Sequence, residues 1–135
     1  MLPKKPLEKT IAFWRNSGDK NWKTAQSLFR LKHYDMCLFC CHLTLEKYLK
    51  ALAMSINNDN PPPIHDLNRL AEIAGLNLTA EQEKQLNEIS TFNIQARYDD
   101  IKLSFYKKAT AHFTAQYFNV THQLLIWLKK QFPGQ

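Results

Sequence analysis

Glycine is scarce in this chain, with three residues in 135, and few segments alternate apolar and polar residues as strands do. A sheet is therefore not the expected framework. No uncharged apolar run approaches the roughly 18 residues of a membrane span. The start, Met1-Leu2-Pro3-Lys4-Lys5-Pro6, leads into no apolar signal core, so a cytoplasmic protein without a membrane partner is expected. There is no Gly-rich phosphate loop, no H-E-x-x-H and no G-x-S-x-G, which removes three common catalytic signatures. Of the three cysteines, Cys37 and Cys40 form a C-x-x-C with Cys41 beside it, inside an apolar helical pattern. No second Cys or His pair stands at zinc spacing. Buried, reduced thiols are expected, with redox chemistry as the alternative. Asp99-Asp100 is too ordinary a loop pair to mark a metal site, so neither metal nor cofactor is expected.

What fills the long runs is Leu, Ala, Lys, Gln and Glu, all good helix formers. The length is that of one domain spanning residues 1–135, able to bury a core without disulfide or metal. The formal charge of +6 gathers near the N-terminus and at Lys102, Lys107 and Lys108. It raises the chance of an anionic partner without naming one, and no cluster is dense enough for a nucleic-acid-binding arm.

Apolar periodicity predicts a first helix from Leu7 to Leu31, through Ile11, Trp14, Trp22, Ala25, Leu28 and Phe29. Gly18 lies mid-pattern as a local weakness. Lys32-His33 forms a short turn, which demands an antiparallel neighbour. The second helix, from Tyr34 or Asp35 to Ile56, is apolar almost all round and therefore central. The linker Asn57-Asn58-Asp59-Asn60-Pro61-Pro62-Pro63 ends it. A short helix runs from Asp66, its N-cap, to Ala74 before Gly75. A fourth, capped by Thr79 with Gln82 in the capping-box position, runs to Asn93. Ile94 to Lys102 reads as a connector, and Leu103 to Phe132 as one long amphipathic helix ended by Pro133-Gly134. The expected fold is an all-α up-and-down bundle of about five helices, three long and two short.

On the central helix His42, Glu46 and Lys50 recur every four residues and draw a slanted polar line; Lys47 lies off it. Burying such groups is expensive unless they are paired, so the bundle must supply partners. One reading is a polar network that fixes packing; the other is a ligand or catalytic site. Arg97-Tyr98 in the connector suits phosphate binding and base stacking. Alternatively, Arg97 pairs with Glu46 or Asp99 while Tyr98 packs under the loop. His65 is either a helix-entry residue or part of a site. His33, His112 and His122 read as surface or packing residues.

The run from Tyr34 to Ala51, with its H-L-x-x-E-K-x-L-K-A pattern beginning at His42, resembles the second helix of HEPN domains, the higher-eukaryote and prokaryote nucleotide-binding family. The likeness takes in Trp14, Trp22 to Leu28, Ile64-His65-Asp66-Leu67, Phe92 to Tyr98 with its A-R-Y, and Leu125 to Lys129. It implies a bundle of about five helices, commonly a homodimer, often paired with a minimal nucleotidyltransferase as a complex or toxin–antitoxin pair. Nucleotide binding is implied for the group, and RNA cleavage for some members. The ribonuclease members carry an Arg followed after four to six residues by a His. After Arg97 those positions are Lys102, Leu103 and Ser104, and Arg15, Arg30 and Arg69 also lack the His. Asp99 stands where many relatives have Pro. The expectation is a binding module with no catalytic residue, whose candidate ligand contacts are His42, Glu46, Lys47, Lys50, His65, Arg97 and Tyr98. A divergent ribonuclease toxin and a purely structural domain are the alternatives.

Overall fold

Six helices make up the described part of the chain: α1 (Lys4–Arg30), α2 (Tyr34–Asn57), α3 (Leu67–Ile73), α4 (Ala80–Gln95), α5 (Asp99–Lys108) and α6 (Ala111–Lys129). The structure, a computed structural model, describes residues 4–134, without the side chains of residues 4–6, 99 and 100. The charges of Lys4 and Lys5 and a pairing of Asp99 with Arg97, both raised above, lie outside the described side chains. Met1 to Pro3 lie outside the described residues altogether.

The punctuation behaves as its chemistry dictates. Lys32 turns the chain at φ 64°, and Asn58 closes α2 in the left-handed region, its N–H donating to the Met54 carbonyl. Asp66 accepts from the Asn68 and Arg69 amides to start α3. Thr79 and Gln82 form the full capping box of α4.

The expected connector and single last helix need correcting. The chain is helical from Asp99 to Lys108 and breaks at Ala109 and Thr110. The Thr110 hydroxyl accepts from the Phe113 amide, so a new helix starts there with its own N-cap. Tyr106, Ala109 and Phe113 keep their three- and four-residue spacing across this break, which hides it from periodicity. α5 is anchored by Phe105, buried against Phe92 at 5.7 Å between ring centres. The helix count is therefore six rather than five.

α2 packs against every other helix and is buried along most of its length from Cys37 to Met54. Leu38, Leu45, Leu49 and Leu52 share one buried cluster with Leu67, Leu70, Leu86 and Ile89 and with Leu124, Leu125 and Leu128. A smaller cluster holds Cys37, Cys40 and Cys41 as free, buried thiols beside Ala25. The Cys37 thiol donates to the Ala25 carbonyl at 3.3 Å, and burial raises the Cys40 thiol to about 11. No described helix is long and apolar enough to cross a membrane.

Gly18 has a packing reason. α1 continues through it, because the glycine lets α1 lie against Tyr48. A Cβ there would stand 2.7 Å from Tyr48 Cδ2 and 2.9 Å from Cε2. Real Cβ atoms do not come that close, so the position needs its missing side chain.

Candidate functional site

The polar line on α2 is buried, and it is paired. His42 is fully buried, while Glu46 and Lys50 are each 6% exposed. Lys50 Nζ donates to Glu46 Oε2 at 3.0 Å, as the four-residue spacing favours. The same ammonium lies 5.3 Å from the Trp14 ring centre of α1, a cation–π contact that offsets part of its desolvation.

The remaining partner comes from the segment before α3. His65 presents Nδ1 to both Glu46 oxygens, at 3.1 and 3.2 Å. A carboxylate only accepts, so the Nδ1 proton is the donor. The backbone carbonyl of His65 accepts from His42 Nε2 at 3.0 Å. His65 is thus held twice, by ring and by backbone, against one helical turn of α2. The Pro61-Pro62-Pro63 stretch and the Asp66 cap lead the chain into this position.

These bonds settle the state of His42. Burial, the largest influence, lowers its pKa below the ordinary 6.5 and outweighs the His65 carbonyl and Glu46, which act the other way. The imidazole is neutral at pH 7 with its proton on Nε2. Nδ1 is a buried lone pair without a partner. Arg97 adds to the downward shift, so its positive charge acts on this end of the site.

Of the plainer expectation, the Glu46 pairing of Arg97 and the packing of Tyr98 under the loop need correcting, while the Asp99 pairing lies outside the described side chains. Arg97 does not pair with Glu46. Its Nε donates to Asn93 Oδ1 at 2.9 Å, one turn back on α4. The guanidinium carbon lies 5.4 Å from the Phe39 ring centre on α2. Among the described side chains its terminal nitrogens meet no carboxylate. Tyr98 is 58% exposed, so it does not pack under the loop. Lys47 leaves the cluster: its ammonium donates to Ser17 of α1 at 2.6 Å, and burial, first among its influences, lowers its pKa.

The fold therefore joins His42, Glu46, Lys50 and His65 in one network, sets Arg97 and Tyr98 at its edge, and places Lys47 apart. Sequence reasoning missed Trp14 as the platform for Lys50, and Phe39 and Asn93 as the supports of Arg97. Asn93 had a legible signal, since it stands four residues before Arg97 in the last turn of α4. Phe39 had none, because its partner arrives from the turn after α4. A cavity of about 300 Å³ opens beside the network, lined by His65, Asp66, Asn87, Ser90, Thr91, Asn93 and Ile94. It is bounded by both the outward His65 ring and the asparagine that holds Arg97. What the arrangement offers is a cationic, aromatic-backed edge over a rigid, neutralised interior.

Comparison with known proteins agrees with the architecture. The family model for the HEPN domain matches residues 11–131. No curated protein matches. A solved structure, that of TT1696 from Thermus thermophilus, superposes with a TM-score of 0.74 at 16% identity, covering 90% of this chain and 98% of that one. At that identity the likeness speaks to the fold.

Proposed function

The chain belongs to the HEPN domain family, and we propose that it is a non-catalytic binding module that holds a nucleotide by its phosphate at Arg97. The presentation of Arg97 carries this reading. Nε is fixed by Asn93 and one face lies toward Phe39, which directs the terminal nitrogens away from both supports. A guanidinium so fixed is pre-organised for two-point contact with a phosphate. Tyr98, exposed beside it, supplies a face on which a base stacks.

Lys50 and Glu46 serve this edge from behind. Their charges are spent on each other and on Trp14 and His65, so they fix the geometry and do not touch the ligand. Calorimetric titration with ATP is the test. Micromolar-range binding that Arg97→Ala removes, and that Tyr98→Ala weakens by about 1–3 kcal/mol, supports the site. Unchanged affinity in Arg97→Ala removes it.

The family resemblance also supports homodimerisation and a small nucleotidyltransferase as partner, in a cytoplasmic toxin–antitoxin-like pair. Light scattering and co-purification with the product of a neighbouring nucleotidyltransferase gene test both. One observation favours a second reading, a divergent ribonuclease. The charge of Arg97 reaches the buried His42, which is bonded to the His65 carbonyl, although the chain lacks the Arg-to-His spacing of the cleaving members. RNA cleavage by the purified protein, abolished in Arg97→Ala, would replace the binding-only reading.

A further inference from the structure

Another cavity, of about 410 Å³, lies where the first turns of α1, the end of α2 and the segment after α6 come together. It shares no residue with the Arg97 edge, and its size is that of a small-molecule site. The apolar lining comes from all three elements: Leu7 and Ile11 of α1, Met54 of α2 and Phe132 beyond α6. Leu7, Met54 and Phe132 are buried by the fold itself, so this floor stands ready before anything enters.

Two charged side chains line the same cavity, and they are of opposite sign. Glu8 and Arg15 both rise from α1. Seven residues are just under two helical turns, which puts both on one side of the helix with about 10 Å of axis between them. Ile11 falls in between. Arg15 is seated by rings: its guanidinium carbon lies 4.1 Å from the Phe132 ring centre and 5.9 Å from that of Tyr48. Such a contact uses the face of the guanidinium, while the N–H donors lie in its plane. Asp19, one turn further on, is engaged by the Tyr48 hydroxyl and by Lys129. Among the described side chains no carboxylate comes within ion-pair reach of Arg15, and no cation within reach of Glu8. Asn58 adds an exposed carboxamide to the lining, a group that both donates and accepts as a peptide unit requires.

We propose that this cavity binds a short apolar peptide with free ends, its amine at Glu8 and its carboxylate at Arg15. An extended chain gains roughly 3.3–3.6 Å per residue, so three residues match the separation of the two charges. The apolar side chains lie on the floor formed by Leu7, Ile11, Met54 and Phe132. Charge complementarity selects this class of ligand. A fatty acid answers Arg15 and leaves Glu8 facing an apolar body; an alkyl amine does the opposite. The terminus of a longer protein chain brings one of the two charges, whereas a free peptide brings both. The site stands whether or not Arg97 holds a phosphate.

The test caps one end of the ligand at a time. Trileucine, N-acetyl-trileucine and trileucine amide are titrated calorimetrically into the wild-type protein, Glu8→Gln and Arg15→Gln at about pH 6.5, where the peptide amine carries its proton. Trileucine should bind with a Kd of about 0.1–1 mM, and each capped form about tenfold more weakly. Glu8→Gln should bind trileucine and its acetylated form alike while still discriminating against the amide, and Arg15→Gln should do the reverse. Methyl NMR signals of Ile11 and Met54 should shift as trileucine enters. Equal affinity of the wild type for all three peptides overturns the proposal, whether or not Arg15→Gln folds. Discrimination against the acetylated form that survives in Glu8→Gln overturns the end given to Glu8; discrimination against the amide that survives in Arg15→Gln overturns the other. Trileucine that does not bind, or that binds and leaves Ile11 and Met54 unmoved, overturns the site.

Discussion

α2 carries polar groups toward two sides of the bundle, and the two sides use them differently. Toward the segment before α3, Glu46 gathers Lys50 and His65 in a buried network that ends on an exposed ring nitrogen. Toward α1 and α6, Tyr48 gathers a closed circuit. Its hydroxyl donates to Asp19, which also draws Lys129 to 3.8 Å. Arg15 lies 4.1 Å from the ring centre of Phe132 and 5.9 Å from that of Tyr48. Burial, then the Asp19 hydrogen bond, pushes the Tyr48 phenol up. In the Tyr48 circuit each polar group is answered and the ionic members lie nearer the surface, so it fastens the middle of α1 and α2 to the end of α6. In the Glu46 network the charges are buried and one valence is left facing out. Similar side chains make a fastening in one place and a presentation in the other.

The sharpest way to break this comparison is to delete one carboxylate from each side. Glu46→Ala strands Lys50 in a nearly closed site and should destabilise the domain by about 3–5 kcal/mol. Asp19, with a side chain 45% exposed, belongs to a solvated circuit, and Asp19→Ala should lose no more than about 1 kcal/mol. Urea denaturation reads both. The double variant Glu46→Ala, Lys50→Met should recover much of the first loss, because the orphaned charge leaves with its partner. Equal losses at Glu46 and Asp19 would erase the distinction between the two sides.

The next effect belongs to the Tyr48 side alone. Gly18→Ala places a methyl group against the Tyr48 ring at a distance no packed carbon tolerates. Overpacking of this kind destabilises by about 1–3 kcal/mol, although alanine is the better helix former by about 1 kcal/mol. Net destabilisation in a denaturation experiment is expected, and it should shrink when Tyr48→Leu removes the obstructing ring. A more stable Gly18→Ala protein would show that α1 can shift away from α2 at no loss.

Much of this was legible in the residues. Caps at Asp66 and Thr79, the turn at Lys32-His33 and the all-round apolar character of α2 act locally, and the structure follows them. The polar line was legible too, because period alone brings His42, Glu46 and Lys50 together. What period cannot convey is which residue arrives from elsewhere. His65 lies nineteen positions from Glu46, and nothing in a Pro-rich linker says that its last residues fold back. The same limit concealed Phe39 beneath Arg97. The break at Thr110 escaped for the opposite reason, since apolar phase ran unbroken across a residue that prefers to start a helix.

The smallest effect concerns His42, and acid reveals it. Its folded-state pKa lies below the ordinary 6.5 because the ring is buried. The unfolded chain therefore takes up the proton more readily than the folded one. Stability from this residue is fully present above about pH 6.5 and is lost as pH falls toward the folded pKa. One such group contributes a slope of at most about 1.4 kcal/mol per pH unit in that window. The second proton would enter Nδ1, which has no acceptor, so the network has nothing to offer the charged ring. His42→Gln keeps a donor for the His65 carbonyl and cannot titrate. Its stability, followed by thermal unfolding between pH 7.5 and 5, should fall less steeply than that of the wild type. Parallel curves would mean that His42 takes up its acid proton as easily folded as unfolded, and that the interior behind the exposed His65 ring is wetter than its burial implies.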